Sequence, residues 1–235
     1  MLTSTDSALQ NASLSSALAT VFRGKLCETL LHDRLPRTFA KGSALYDAGD
    51  HERTFFFVQS GVVKVGAVTD DGHEVIYDLR KEGDVVGELS ACGTPRRDRA
   101  VALEPTAAIA VPYEDILNSL QQNRPALQEI FDVICRALSA AYDQINLLSS
   151  GGTLDRLITV LLRLAKQVGR PSGRLVEVDA FLTQEEISQM MASSRERVSA
   201  ALNLLRSRAI VDYSRGGHLL VDVSALENWR TPGHL

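Results

Sequence analysis

The sequence predicts an α+β chain built in three successive parts: an N-terminal β-roll of the jelly-roll kind, a long helix, and a C-terminal winged helix-turn-helix. Three observations predict it. Short strand-like runs between Pro36 and Pro112 are separated by evenly spaced turn signals, and an apolar heptad pattern then runs unbroken from Leu127 to Leu148. Finally, the stretch from Thr183 to Arg208, TQEEISQMMASSRERVSAALNLLRSR, encodes two amphipathic helices meeting at a tight polar turn. The expected boundaries are 1–20 for an N-terminal extension, 21–122 for the roll, 123–150 for the long helix and 151–235 for the winged helix-turn-helix.

Residues 1–20 are rich in Ser, Thr and Ala, carry little that can pack, and are expected to be mobile. They lack the basic start and continuous apolar core of a signal peptide, and no apolar run in the chain approaches the length of a membrane span, so the expectation is a cytoplasmic protein with no membrane partner. In the roll, strands are expected at Thr54–Val58, Val62–Val68 and Glu74–Leu79. Turn signals stand at Ala48-Gly49-Asp50, Ser60-Gly61, Asp70-Asp71-Gly72 and Glu82-Gly83-Asp84, with Asp71-Gly72 the strongest hairpin signal.

The heptad seam comprises Leu127, Phe131, Ile134, Leu138, Ala141, Ile145 and Leu148, alternating four and three apart. Sustained over three heptads, it fits a parallel two-stranded coiled coil, hence a homodimer; a helix packed on its own roll is the alternative. Ser149-Ser150-Gly151-Gly152 is expected to break the helix as a hinge, with Thr153 capping the next helix, Leu154–Val168.

Thr183 and Glu186 have the spacing of a capping box, and Ile187, Met190 and Met191 lie on one helical face. Ser193 and Ser194 open the second helix, whose inward stripe is Val198, Ala201, Leu202 and Leu205, leaving Arg195, Glu196, Arg197, Ser199 and Ala200 facing out. Those are the positions from which a recognition helix reads DNA. Ile210-Val211, a turn at Ser214–Gly217, and His218–Val223 then form the wing, which weighs against an ordinary helical hairpin. Arg195, Arg197, Arg206, Arg208 and Arg215 face only Glu196 and Asp212, a local positive excess in a chain of net charge -4. This suits a specific reader of double-stranded DNA, and a two-fold dimer suits a palindromic site.

The 235 residues, 45% of them hydrophobic, suffice for one large or two modest cores. Cys27, Cys92 and Cys135 are distant from one another and odd in number, which argues against a disulfide framework and against a CxxC metal or cluster site. His32, His51, His73, His218 and His234 contain no HxH pair, so no metal site, no covalent cofactor and no cupin-like enzyme is expected.

A β-roll, a long helix, a hinge and a winged helix-turn-helix in that order resemble the cyclic-AMP receptor protein / fumarate-nitrate regulator superfamily of transcription regulators. The resemblance runs from Val21 to Trp229 and rests on SSRERVSAAL in the second helix and GELSACGTPRR with ALEPT in the roll. SSRERVSAAL resembles the signature SRExVxRxL, and the resemblance implies that Arg195 and Glu196 read bases, the arginine meeting a guanine and the glutamate a cytosine amine. Arg197, with Ser194, Ser199 and Thr183 nearby, is implied to meet the DNA backbone. At Ala200 many members carry a second base-reading arginine, so the half-site is expected to depart from TGTGA at one position.

In the roll, Gly87-Glu88-Leu89 followed by Arg96 resembles the family's phosphate-binding cassette, which implies a cyclic nucleotide effector held at its ribose by Glu88 and at its phosphate by Arg96. Arg97 stands where cyclic-AMP binders have Ser or Thr, Asp98 and Arg99 compete for the same register, and Ala141 and Tyr142 occupy the adenine-contacting positions of the long helix. A redox, haem or other small-molecule effector is the alternative, and RNA polymerase is a further partner that the resemblance implies.

Overall fold

The computed structural model describes residues 18, 20–150, 152–179 and 182–229. The chain divides into two compact units, Met1–Ala67 with Tyr77–Tyr142, and Val68–Ile76 with Asp143–Leu235.

The roll is made of β1 (Arg37–Phe39), β2 (Ala44–Tyr46), β3 (Thr54–Ser60), β4 (Val62–Val68), β5 (Glu74–Lys81), β6 (Val85–Val86), β7 (Arg99–Ala102) and β8 (Thr106–Pro112), preceded by α1 (Gly24–Leu31). They form two four-stranded sheets of order β1-β8-β3-β6 and β2-β7-β4-β5. Strand β3 explains how the layers are held. Its residues 54–58 are buried without interruption because side chains alternate between two covered faces. Phe56 and Val58 enter a core shared with Tyr46, Val63, Val65, Ala100 and Ala102 of the opposite sheet. Phe55 and Phe57 point the other way, into a core with Phe22 and with Leu30, Ile116 and Val133 of the covering helices. Alanines at 100, 102 and 108 leave room for Phe56 and Tyr46 to stack at 6.0 Å. Gly61 turns β3 into β4 with φ of +87°, where a Cβ would lie 2.4 Å from the Thr106 hydroxyl, so glycine is required.

Three expectations are tested in this part of the chain. Leu18 is 6% exposed and packs with Val21 and Phe22 in the helix-side core, so the end of the supposed extension is structural; 1–17 and 19 lie outside the described residues. The Asp71-Gly72 turn joins β4 to β5 as expected, closed by Thr69 N–H to the His73 carbonyl (2.8 Å) and Gly72 N–H to that of Thr69 (2.8 Å). The long helix runs from Arg124 to Ser150 and so takes in both serines expected to break it, the Ser149 hydroxyl donating to the Ile145 carbonyl (2.8 Å).

Following α2 (Tyr113–Gln121), this helix, α3, carries two apolar faces. Ala126 and Val133 are buried on the roll's helix-side core, with Ile130 packed against it. The heptad residues face elsewhere: Leu127, Phe131, Ile134, Leu138 and Ile145 are 40–63% exposed, and Ala141 is exposed too. The Leu148 side chain lies outside the described residues. Packing on the roll and an open heptad seam therefore coexist on different sides of one helix.

The second unit contains α4 (Thr153–Gln167), β9 (Arg170–Ser172), β10 (Leu175–Val178), α5 (Gln184–Met190), α6 (Arg195–Ser207), β11 (Val211–Tyr213), β12 (Leu219–Val221) and α7 (Val223–Trp229). Gly152, not Thr153, caps α4, and its carbonyl accepts from Arg156 N–H (3.1 Å), which places Thr153 in the first turn; Gly151 lies outside the described residues. Leu157, Ile158, Leu161 and Leu164 of α4 are fully buried. The wing is more than the expected hairpin. Strands β11 and β12 belong to a four-stranded sheet of order β11-β12-β10-β9, and Val223 opens α7 instead of ending a strand.

Candidate nucleic-acid interface and effector pocket

The helix-turn-helix is fixed at both helix starts by side-chain caps. The Thr183 hydroxyl accepts from Glu186 N–H (3.3 Å), and the Glu186 carboxylate accepts from Thr183 N–H (2.9 Å), completing the capping box. The left-handed residue Ala192 (φ +46°) turns the chain, and Ser194 caps α6 by accepting from Arg197 N–H (3.5 Å). Thr183 and Ser194, both expected at the DNA surface, thus use their hydroxyls to position α5 and α6.

Val198, Ala201, Leu202 and Leu205 bury one side of α6. At about 100° per residue, the opposite side carries Glu196, Ser199, Ala200 and Asn203, while Arg195 and Arg197 flank that stripe about 200° apart. Arg195, Glu196, Arg197, Ala200 and Asn203 are exposed, and Ser199 is half-buried. Gln184, Arg195, Glu196, Ser199, Ala200 and Asn203 line an open depression of about 510 Å³ on this surface. Its own backbone amide and the Ser194 hydroxyl hold the Glu196 carboxyl below the usual glutamate range, with Arg195 adding to the effect, so it stands ionised as an acceptor. Two of the five arginines in the local positive excess are engaged within the domain: Arg206 pairs with Asp212 (3.0 Å), and Arg208 lies 5.2 Å from the Trp229 ring. Arg195, Arg197 and Arg215 are exposed.

Sequence reading missed Gln184 and Asn203. Asn203 was within reach of it, seven residues beyond Glu196 on the same face, whereas Gln184 enters only because α5 and α6 cross in space.

In the roll, Gly87 precedes a 3-10 turn, Glu88–Cys92, with φ of +90°; a Cβ there would lie 2.7 Å from the Thr54 carbonyl, so the cassette needs this glycine. Glu88 accepts from Arg80 (2.9 Å), whose side chain is 3% exposed and also binds Asp78. Burial opposes the charge on Arg80, but Glu88, Asp78 and Asp84 outweigh it and raise its pKa. Arg96 is 4% exposed: its guanidinium donates to the carbonyls of Thr54 (2.6 Å) and Gly87 (3.2 Å) and lies 3.9 Å from the Tyr46 ring centroid. The Tyr46 hydroxyl donates to Asp98 (2.7 Å), and burial first, then Asp98 and Glu88, push its pKa up.

The structure therefore brings Gly87, Glu88 and Arg96 into one cluster with Tyr46, Arg80 and Asp98. It also resolves the register: Arg96 and Asp98 point in, Arg97 is exposed, and Arg99 pairs with Asp47 (3.1 Å). Leu89 is 45% exposed and Tyr142 58% exposed, and neither takes part in that polar cluster. Among the described residues no group of three or more His, Cys, Asp or Glu could hold a metal ion, and no helix is long and apolar enough to cross a membrane.

A polar-faced recognition helix with a wing, preceded in the chain by a β-roll and a helix with an open apolar seam, defines the class of roll-and-winged-helix DNA-binding regulators. Residues 36–123 match the family described as the cyclic nucleotide-binding domain, and residues 155–229 the Crp-like helix-turn-helix domain. The chain is 31% identical over 169 residues, 71% of its own length and 75% of the relative's, to a CRP-like cAMP-activated global transcriptional regulator of Mycobacterium tuberculosis. It is 28% identical over 202 residues, 83% of this chain and 88% of the relative, to a global nitrogen regulator of Nostoc sp.. The solved structure of FixK2 from Bradyrhizobium japonicum has the same fold, with a TM-score of 0.73 at 20% identity over 85% of this chain and 98% of that one. The chain belongs to the CRP/FNR family of transcription regulators.

Proposed function

We propose that this protein is a homodimeric, sequence-specific DNA-binding transcription regulator in which residues 21–122 sense a small ligand, 123–150 dimerise and 151–235 bind a palindromic site. The observation that carries the reading is the exposed stripe of α6, with an ionised Glu196 beside Arg195 at a capped helix start. Arg195 bonds a guanine edge, Glu196 accepts from a cytosine amine, and Arg197, on the far flank of the stripe, meets a phosphate. The half-exposed heptad face of α3 is the dimer surface. The protein works in the cytoplasm, and RNA polymerase is the partner through which it changes transcription.

Site selection from random duplexes tests this. On the selected site Arg195→Ala costs about 1 to 3 kcal/mol and relaxes preference at one guanine, while Arg197→Ala weakens all sequences alike and reduces the salt slope by about one. A wild-type protein that binds its selected duplex no better than random DNA refutes the reading.

For the ligand, a cyclic nucleotide is the leading reading, supported by the domain match and by the name of the Mycobacterium tuberculosis relative. Gly87, Glu88 and Leu89 would receive the ribose, Arg96 and Arg97 the phosphate, and Tyr142 the base. As the roll is folded, the Arg96 guanidinium is buried and spends donors on the Thr54 and Gly87 carbonyls, with its Nε left unpartnered. That arrangement, with the buried Asp98 carboxylate in the same cluster, favours a second reading: the same regulator with an effector other than a cyclic nucleotide. Calorimetric titration with cyclic AMP, cyclic GMP and cyclic dinucleotides separates them, saturable heat supporting the first and its absence the second.

A further inference from the structure

Of the residues that line the depression on the outward side of α6, one is apolar, and a second exposed apolar side chain, Leu204, lies beside it. Glu196, Ser199 and Asn203 carry hydrogen-bonding groups, as do Gln184 and Arg195 beside them, whereas Ala200, exposed at the edge of this set, offers only a methyl. The surface is not filled in by its neighbours: these six residues enclose an open depression of about 510 Å³. A shallow patch whose apolar spot has Glu196 and Asn203 on one side and Leu204 on the other favours a partner group that is itself apolar at one point and polar beside it. Among the four base edges of the major groove only thymine presents such a point, its 5-methyl, and cytosine offers an amine and no methyl at the equivalent face. Ala200 can neither donate nor accept, so it cannot select a base by hydrogen bonding, and methyl-to-methyl contact is the selectivity its chemistry allows.

We propose that Ala200 makes this regulator select a thymine in each half-site by burying the 5-methyl in the depression. Four residues of helix rise about 6 Å between Glu196 and Ala200, a little under two base-pair steps. The thymine accordingly lies one or two steps along the site from the pair that Glu196 contacts. The inference rests on the DNA-reading function proposed above and adds the base class read at this position.

The experiment uses the full-length protein and its selected duplex, with each thymine replaced in turn by deoxyuridine, which keeps O4 and removes only the methyl. One thymine per half-site should show a loss of about fourfold in affinity, the value for returning one buried methyl to water, and substitution in both halves should multiply the two losses. Ala200→Gly should bind the thymine duplex more weakly by a similar factor and be indifferent to deoxyuridine at that position. Its preferences at the bases assigned to Arg195 and Glu196 should be unchanged. Wild-type indifference to deoxyuridine at every thymine overturns the proposal, as does an Ala200→Gly protein that keeps the full penalty. Failure to enrich any site refutes instead the underlying DNA-reading assignment, so the two failures are distinct.

Discussion

Ile134 and Val133 are adjacent on α3 and face opposite fates, which makes the dimer surface testable by one substitution. Val133 is fully buried in the roll's helix-side core, while Ile134 is 53% exposed on the heptad seam. Burying an isoleucine completely is worth about 1.5 to 3 kcal/mol, so covering the exposed half of Ile134 contributes about 1 kcal/mol per protomer and about 2 kcal/mol per dimer. Ile134→Asp removes that contribution and sets two carboxylates facing each other in a seam where they are poorly hydrated, which adds to the loss. The dimer dissociation constant should rise by at least about 30-fold, the factor that 2 kcal/mol alone supplies. Because Ile134 does not pack on the roll, the monomer should keep its circular dichroism and thermal transition, whereas Val133→Asp should unfold the unit. Sedimentation velocity across a concentration series reads the first outcome. A dimer of unchanged affinity in Ile134→Asp, or an Ile134→Asp protein as unfolded as Val133→Asp, refutes the assignment of the two faces.

Thr183→Ala removes the hydroxyl of the α5 capping box and should lower stability by about 1 kcal/mol, read as a shifted denaturant midpoint; Thr183→Ser should restore most of it, and an unshifted midpoint for Thr183→Ala refutes the cap. Asp84 is 7% exposed, and burial raises its carboxyl above the ordinary range, with the Lys81 amide (2.9 Å) and Arg80 opposing. A group with a raised folded pKa stabilises the fold below its unfolded value, and that contribution is lost as pH rises through the folded one. The stability difference between Asp84→Asn and wild type should therefore move in the variant's favour between about pH 3 and pH 7, and a difference that moves the other way shows that Arg80 and the amide dominate.

The readings taken from the sequence that hold in the structure are those with a local cause. A capping box is a matter of residues three apart, so Thr183 and Glu186 announced α5 before any packing was known. The exposed face of α6 followed from the 3.6-residue period of Val198, Ala201, Leu202 and Leu205, and the roll from turns placed between strands short enough to be read singly. Strands β9 and β10 escaped because they are three and four residues long and show mostly exposed or half-buried positions, with no alternation to betray them. The break after the long helix was placed two residues early: the helix takes in Ser149 and Ser150, and the next one starts at Thr153.

What only the tertiary structure decided is which of several chemically similar residues are removed from water. Arg96, Arg97 and Arg99 are alike in sequence, yet Arg96 alone is buried, where it donates to the Thr54 carbonyl 42 positions away. Tyr46 likewise meets Asp98 across 52 positions, and α3 has one apolar face covered and one open because the roll sits against Ala126 and Val133. Period and capping act over one or two turns of chain and can be read from it. Burial depends on where distant segments meet, and it is burial that turns a run of arginines into one internal strut, one surface charge and one half-buried ion pair.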